Sequence, residues 1–570
     1  QTWRKYSNIC SSISRSIQNG STPGTFYRNR CCGQHVVSLS SSSDSNKENQ
    51  NGKKPRVSPS IRELTVSSEC AASDSKWADT PFSKQVFTVL GLSEFSKEEL
   101  EDAFRRADLD NNDLLEKEEF RSLVKNASNG KLSKCEVDNF TESFWKYHAP
   151  EVEAITKSQF LSRTEALAKE LDPRVNALSL TFLLAGTSIG LIIPVMPQLA
   201  QSLAITSSQY GTIIGSFAFA KMIGNIPAAT FVDKYGRKSS IVIGLGTIGV
   251  SMGAVGLADS YEWIMLCRFL SGLGVASFSA GAIQYLSDIS TPLNRAKTIA
   301  PPMTAFSLGT ALGPAAGGIL LDYTGFVGTF ALVGTGFIAL AGANYIFLPK
   351  IVTTALETDR AGTGTSDLKE KDKGLLQTWK GLLLDRGISN MILVNGGYWF
   401  VLSGSQMTLL PLLLSGEKFG LSASAVGSIF MGMSMVGVVC TPIAGRLLDS
   451  VGRVRTIVPA CMVIGSAMMS APMVDDIYSF VALVCTWTAA GTLLGAGPTT
   501  YISDMTTSKN RAQALALLRT AGDIGMLLGA LGAGTVADMF SQEQAIQANG
   551  IAFLALSGFA AIRFATIVKK

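Results

Sequence analysis

Histidine is nearly missing from this sequence, with two in 570 residues, and the nine cysteines are scattered at positions 10, 31, 32, 70, 135, 267, 440, 461 and 485. Neither residue clusters at the spacing a zinc site needs, and the cysteines make no disulfide framework of the kind that staples small secreted domains. Charge is also scarce: Asp, Glu, Lys and Arg are 16% of the chain, against about 25% in soluble domains. Together with a mean hydropathy of +0.26 and 55 glycines, this excludes a string of soluble domains and predicts a polytopic membrane protein. The net charge of +5 is small and falls in loops on one side of a bilayer, so it orients the chain and offers no nucleic-acid stripe. No catalytic constellation emerges, and the chain is not expected to be an enzyme.

Acid is absent from the first 43 residues, which carry Arg4, Lys5, Arg15, Arg28 and Arg30 among many serines. That is the composition of an organellar transit peptide, with a plastid (envelope or thylakoid membrane) favoured by the serine content and a mitochondrial or other organelle membrane as the alternative. The chain opens on Gln1 and shows no apolar secretory core. Residues 1–80 are read as transit peptide and unstructured linker.

Around Ser96 an amphipathic helix begins, SKEELEDAFRRA, with Leu100, Phe104 and Ala107 at helical spacing, followed by DLDNNDLLEKEEF. This stretch resembles an EF-hand loop. Asp108, Asp110, Asn112, the Leu114 carbonyl, Glu116 and Glu119 fall at its ligand positions, a spacing that wraps oxygens around one Ca2+. Asp113 stands where the sharp turn wants glycine, which weakens rather than abolishes binding. A second helix-loop-helix aligns Ile155 with Leu115 but puts His148, Pro150, Val152 and Gln159 at ligand positions, so it pairs without binding metal. The expected lobe covers 85–172.

From Asn176 onward twelve apolar segments recur, near 177–203, 208–231, 240–258, 262–287, 299–321, 327–348, 389–414, 422–447, 456–474, 477–502, 512–534 and 548–567. Each meets the bilayer requirement of about 20 residues. An offset of 216 residues relates the two halves. It carries Asp233, Gly236 and Arg237 onto Asp449, Gly452 and Arg453, Asp288 onto Asp504, and Asn294 onto Asn510. Gly309, Gly313, Gly318 and Asp322 go onto Gly525, Gly529, Gly534 and Asp538. The fold class is therefore all-α: twelve transmembrane helices in two six-helix pseudo-repeat bundles, 175–350 and 387–570, joined by a loop over 351–386, plus the small lobe. Parallel repeats of this kind place the substrate near the midplane between halves. Lys234, Lys238, Arg295, Arg455 and Arg511 mark the inner side, which the lobe and both termini share.

The loop ATFVDKYGRKS, with Asp233, Lys234, Gly236, Arg237 and Lys238, resembles the signature loop of the major facilitator superfamily, with Ala229 in place of its first glycine. GRLLDSVGRVR repeats it with Asp449, Gly452 and Arg453. The resemblance implies gating on the inner side, with the Asp capping a neighbouring helix and pairing with the Arg. GTALGPAAGG, with Gly309, Gly313, Pro314, Gly317 and Gly318, resembles the antiporter motif in full. With LIIPVMPQL in the first span, the chain is most similar to drug:proton antiporters of the tetracycline-exporter type.

Charges inside spans are costly and mark function. Lys221, Arg268, Arg519 and Asp523 are the transport and coupling candidates, and Arg268 matches the family's buried Arg associated with proton coupling. The first span has no carboxylate, which leaves Asp523, or a rim acid such as Asp288 or Asp233, as proton carrier. The expected function is secondary active transport of a small organic solute by proton antiport and alternating access, with a calcium-responsive lobe. Partners are the solute, protons and the bilayer, with no nucleic acid and no required oligomer. The alternatives are a facilitator or symporter for a sugar or organic anion, and a calcium-sensing membrane scaffold without transport.

Overall fold

The computed structural model describes residues 81–92, 96–128, 132–148, 154–349 and 378–568. The expected transit segment and linker over 1–80, Pro150 and Val152 of the second loop, and residues 351–377 of the inter-bundle loop lie outside the described residues.

The lobe opens with α1 (Phe82–Leu90), a helix ahead of the expected boundary, which buries Val86, Val89 and Leu90. In α2 (Lys97–Ala107) the Ser96 hydroxyl accepts the Glu99 N–H at 3.1 Å. Glu98 and Glu99 sit in its first turn and Arg105 and Arg106 in its last, matching the helix dipole. Helices α3 (Lys117–Ala127), α4 (Lys134–His148) and α5 (Lys157–Lys169) complete two helix-loop-helix units. Their loops pair through antiparallel strands β1 (Leu114–Glu116) and β2 (Ala154–Thr156), with Leu115 opposite Ile155 as the alignment of the two loops predicts. Phe104, Phe120, Phe144 and Phe160 fill the core, the middle two stacked at 4.0 Å.

Four residues after α5, the bundle begins: α6 (Arg174–Ser202), α7 (Ser207–Tyr235), α8 (Arg237–Val255), α9 (Tyr261–Ile289) and α10 (Arg295–Phe347). The second half holds α11 (Arg386–Val401), which passes through a π-helical stretch, Leu402–Leu409, into α12 (Leu410–Ser415). Then come α13 (Ala423–Ser450), α14 (Arg453–Ser470), α15 (Ile477–Met505), α16 (Ser508–Met539) and α17 (Gln542–Val568). Among the described residues nine helices are long and apolar enough to cross a membrane, by length and composition, against the twelve segments expected. Two of the expected segments form the single 53-residue α10, which turns at Gly325 (φ 66). Lys221, Asp233 and Lys234 lower the apolar character of α7, and the π-helical stretch divides the segment from Arg386 to Ser415.

The 216-residue repeat is realised in space. Gly211 of α7 lies so close to α16 that a Cβ there would be 2.3 Å from the Ala530 carbonyl oxygen. Its counterpart Gly427 of α13 meets the Pro314 carbonyl of α10 at 2.2 Å in the same sense. Gly534 against Ser207 (2.5 Å) and Gly318 against Ala423 (2.4 Å) form a second matched pair. The halves thus touch along two equivalent seams, α7 on α16 and α10 on α13.

Candidate functional site: the seam between the two halves

The antiporter-motif glycines work on two fronts. Gly309, Gly313 and Gly317 press α10 onto the backbone of α6 at Leu183, Thr187 and Leu191, where any Cβ would come within 2.1–2.4 Å of a carbonyl oxygen. Pro314 and Gly318, on another face of α10, meet Gly427 and Ala423 of the opposite half. Small residues at this spacing let backbones approach without side chains between them.

The end of the seam away from the basic loops is tied by charge. Asp538, at the end of α16, accepts the N–H groups of Ser207 and Ser208 with its two carboxylate oxygens, both at 2.8 Å. Those are first-turn donors of α7 with no partner inside the helix, and an anion there also meets the helix dipole. Thr206 and Gln209 satisfy further donors through a capping box. Asp322, the counterpart of Asp538, is exposed and makes no matching bond to Ala423 or Ser424 among the described residues, so the latch is one-sided. Gln201 and Ser415 add a 3.0 Å hydrogen bond at the same end.

Midway down, Lys221 Nζ lies 3.2 Å from Asp523 Oδ1. The pair sits about 21 Å along α7 from Ser207 at 1.5 Å per residue, near the middle of that 29-residue helix. Below it, toward the basic loops, no hydrogen bond or ion pair joins the halves among the described residues. Among the described residues, the polar ties across the seam lie at its outer end and midway, and none lies at the inner end. Of the four intramembrane charges singled out in the sequence, the structure brings two together. Arg519, one turn from Asp523 on α16, is exposed and has no ion pair among the described residues, so these two neighbours do not neutralise each other. Arg268 is buried against Phe217, its guanidinium 4.7 Å from the ring centre and its Nε without a hydrogen-bond partner among the described residues. Tyr398 and Trp399 pack against Gly491 and Gly522.

At the inner ends, Gly236 (φ 89) and Gly452 (φ 100) hold left-handed turns that start α8 and α14, a backbone that disfavours any side chain. These turns aim Arg237 at Asp288 (2.8 Å) and Arg453 at Asp504 (3.2 Å), two ion pairs related by the repeat. Arg453 also bonds Asp449, one helical turn away. The first half departs from the pattern the resemblance implies: Asp233 is exposed and pairs with no basic residue among those described, because Arg237 turns to α9 instead. Lys238 lies 5.2 Å over the Tyr345 ring.

In the lobe, carboxylate oxygens of Asp108, Asp110 and Glu119 come within 4.8 Å of one another. Asn111 (φ 56) and Asp113 (φ 60) take left-handed conformations in the turn between them. Asn112 lies beside Asp110, its Nδ2 donating at 2.8 Å, and Glu119 accepts the Leu109 and Glu116 N–H groups. The donor set is all oxygen, which suits a hard cation. Leu114 and Glu116 pass into β1. In the second loop His148 is core: it stacks on Phe144 at 3.8 Å and bonds the Phe144 carbonyl and Thr164 Oγ1. Burial lowers its pKa to about 4.

Sequence reasoning passed over two features. Asp538 was legible only as a repeat identity with Asp322. Asn294 and Thr291, in the loop after α9, hold the lobe: Asn294 Nδ2 donates to the Glu170 carbonyl and Thr291 Oγ1 to the Ala168 carbonyl, both at 2.6 Å.

Comparison with known proteins agrees with this architecture. Residues 178–414 and 399–569 match the Major Facilitator Superfamily. The chain is 25% identical over 374 residues to an uncharacterised MFS-type transporter of Methanocaldococcus jannaschii, covering 65% of this chain and 92% of that protein. It is 28% identical over 322 residues to multidrug resistance protein 2 of Bacillus subtilis, covering 56% and 77%. Among solved structures, it resembles a bacterial homologue of the human lysosomal transporter Spinster in an inward-facing, occupied conformation. The TM-score is 0.57 at 16% identity over 70% of this chain and 97% of that one.

Proposed function

The chain belongs to the major facilitator superfamily and is a membrane transporter, not an enzyme, and from this we propose that it exports a small organic solute by proton antiport. Twelve spans in two bundles rock about the seam, with α10 crossing twice on either side of Gly325. The observation that carries the reading is the Lys221–Asp523 pair, which places a titratable carboxylate midway along the surface where the halves meet. Protonating Asp523 releases Lys221 and weakens the seam midway along its length, so proton binding and the rocking of the halves are linked. Kinship with a multidrug resistance protein supports an organic solute.

The lobe is read as an EF-hand pair with one calcium-competent loop, held by Asp108, Asp110, Asn112, the Leu114 carbonyl, Glu116 and Glu119, and facing the inner compartment of a plastid membrane. Calorimetry on the full chain should show one calcium bound per chain, abolished by Asp108→Ala with Glu119→Ala. Substrate-library flux in proteoliposomes under an imposed pH gradient, with calcium and with chelator, tests the rest. Gradient-driven counterflow that responds to calcium is the expected result, and pH-indifferent flux would remove proton coupling.

A second reading, a facilitator or symporter for an organic anion, has its own support. The interiors of the spans hold Lys221, Arg268 and Arg519 against the single carboxylate Asp523, and Arg519 has no acidic partner among the described residues. Arg519→Gln would weaken transport of anions selectively under this reading and leave neutral or cationic solutes unaffected.

A further inference from the structure

A groove of about 660 Å3 runs along the second bundle, with α11 as its floor and α16 and α17 as walls. Its size is within the roughly 300–1,000 Å3 of ordinary ligand pockets. Apart from Ser389 and Arg563, the lining side chains are apolar or absent. Gly396 and Gly397 let the wall helices pack tightly onto the floor. A Cβ on Gly397 would lie 2.1 Å from Leu556 Cδ2, and Gly525 backs directly onto the Gly396 carbonyl. At its rims Leu393, Ile524 and Leu528 are 40%, 44% and 52% exposed, and neither Lys221 nor Asp523 lines it. The groove therefore faces the surroundings of the bundle rather than the transport seam.

One end carries a cation. Ser389 lies in the first turn of α11 and Arg563 in the last turns of α17, so both belong to the basic side of the membrane. The Arg563 guanidinium is steadied 5.6 Å over the Phe559 ring and has no carboxylate partner among the described residues. Asp385, which opens α11 at that end, is already engaged in accepting the Ile388 N–H at 2.9 Å.

We propose that this groove binds an anionic phospholipid of the inner leaflet, an acyl chain lying on the glycine floor and the phosphodiester on Arg563. An apolar channel in a membrane-facing surface is filled by hydrocarbon rather than water, because water there would find no polar partners. A guanidinium with no carboxylate partner among the described residues, at the headgroup level, then selects for negative charge. A neutral lipid fills the groove but leaves the cation unmatched, and a soluble anion matches the cation but leaves the groove empty.

The test is native mass spectrometry of the full chain released from vesicles of equal phosphatidylglycerol and phosphatidylcholine. The wild type should retain phosphatidylglycerol in excess. Arg563→Gln should lower the ratio of retained phosphatidylglycerol to phosphatidylcholine about fivefold, the contribution of one basic residue at a membrane surface. Arg563→Lys, and Arg446→Gln at a distant inner helix end, should stay within about twofold of wild type if one basic residue's worth of attraction is specific to Arg563. Leu393→Trp, at an exposed rim position, should obstruct the groove and reduce phosphatidylglycerol retention with Arg563 intact. A wild-type ratio in Arg563→Gln, an equal loss in Arg446→Gln, or undiminished retention in Leu393→Trp would each overturn the proposal.

Discussion

Asp523 and Arg519 show how far a single residue can be read from its own helix. One turn apart on α16, they invite assignment as a self-neutralising pair, yet Asp523 instead reaches across the seam to Lys221 at 3.2 Å. The charges themselves were legible because intramembrane charge is rare; their partners were not, since pairing depends on which helices the seam juxtaposes. His148 makes the same point in the lobe. Its loop position marks it as a degenerate metal ligand, but the side chain is packed on Phe144 and its pKa is lowered to about 4 from an ordinary value of 6.5. The unfolded chain therefore takes up a proton that the folded lobe refuses between these two values. Stability is complete above about pH 6.5 and falls as pH drops toward 4, by up to about 3 kcal/mol at 1.36 kcal/mol per pKa unit. Thermal unfolding of the lobe at pH 7 and pH 5 should show this loss, and His148→Phe should flatten the pH dependence; an equal dependence in the variant would discard the assignment.

Helices α7 and α16 carry the element-scale argument. Small residues at the motif's spacing favour close helix packing, and the structure adds what the pattern could not say: Gly309, Gly313 and Gly317 serve packing within one half, whereas Pro314 and Gly318 serve contact between halves. Asp538 is the complement of that contact. Hydrogen bonds to a charged group contribute about 1.5–3 kcal/mol, so Asp538→Asn, which keeps one acceptor, should shift the balance toward outer opening by roughly tenfold. A cysteine placed at Leu531, in a background without other reactive thiols, should then react about tenfold faster with a maleimide applied from the outer side. An unchanged rate would show that the glycine contacts alone hold the seam. The joint between the lobe and the loop after α9 is also an element-scale device. Asn294→Ala removes the donor of the partly buried bond to the Glu170 carbonyl, and Thr291→Val leaves the buried Ala168 carbonyl without its donor, the latter at about 1–3 kcal/mol. Hydrogen exchange in α5 of the full chain should accelerate in both variants, and unaltered exchange would mean that the lobe is held elsewhere.

At the scale of the whole molecule, the repeat was the most informative signal in the sequence. One offset of 216 residues carries each half onto the other, and the structure shows along it two equivalent seams and two equivalent inner ion pairs, Arg237 with Asp288 and Arg453 with Asp504, that the sequence alone did not specify. The same symmetry cannot foretell its own violations. Asp538 latches while Asp322 does not, and Asp449 pairs with its arginine while Asp233 stands free of basic partners among the described residues. Identical residues diverge here because the neighbours that meet them come from unlike surroundings in the two halves. The helix α1 escaped notice for a different reason: its nine residues are too short for periodicity to mark, and it is held by burial against the lobe. The account as a whole turns on Asp523 as the group that couples protons to the seam. The most direct measurement is solute flux in proteoliposomes under an imposed pH gradient, comparing wild type with Asp523→Asn. The account predicts that the variant still exchanges solute for solute but no longer accumulates it against its gradient at the expense of protons. A variant that follows the pH gradient as the wild type does would contradict it.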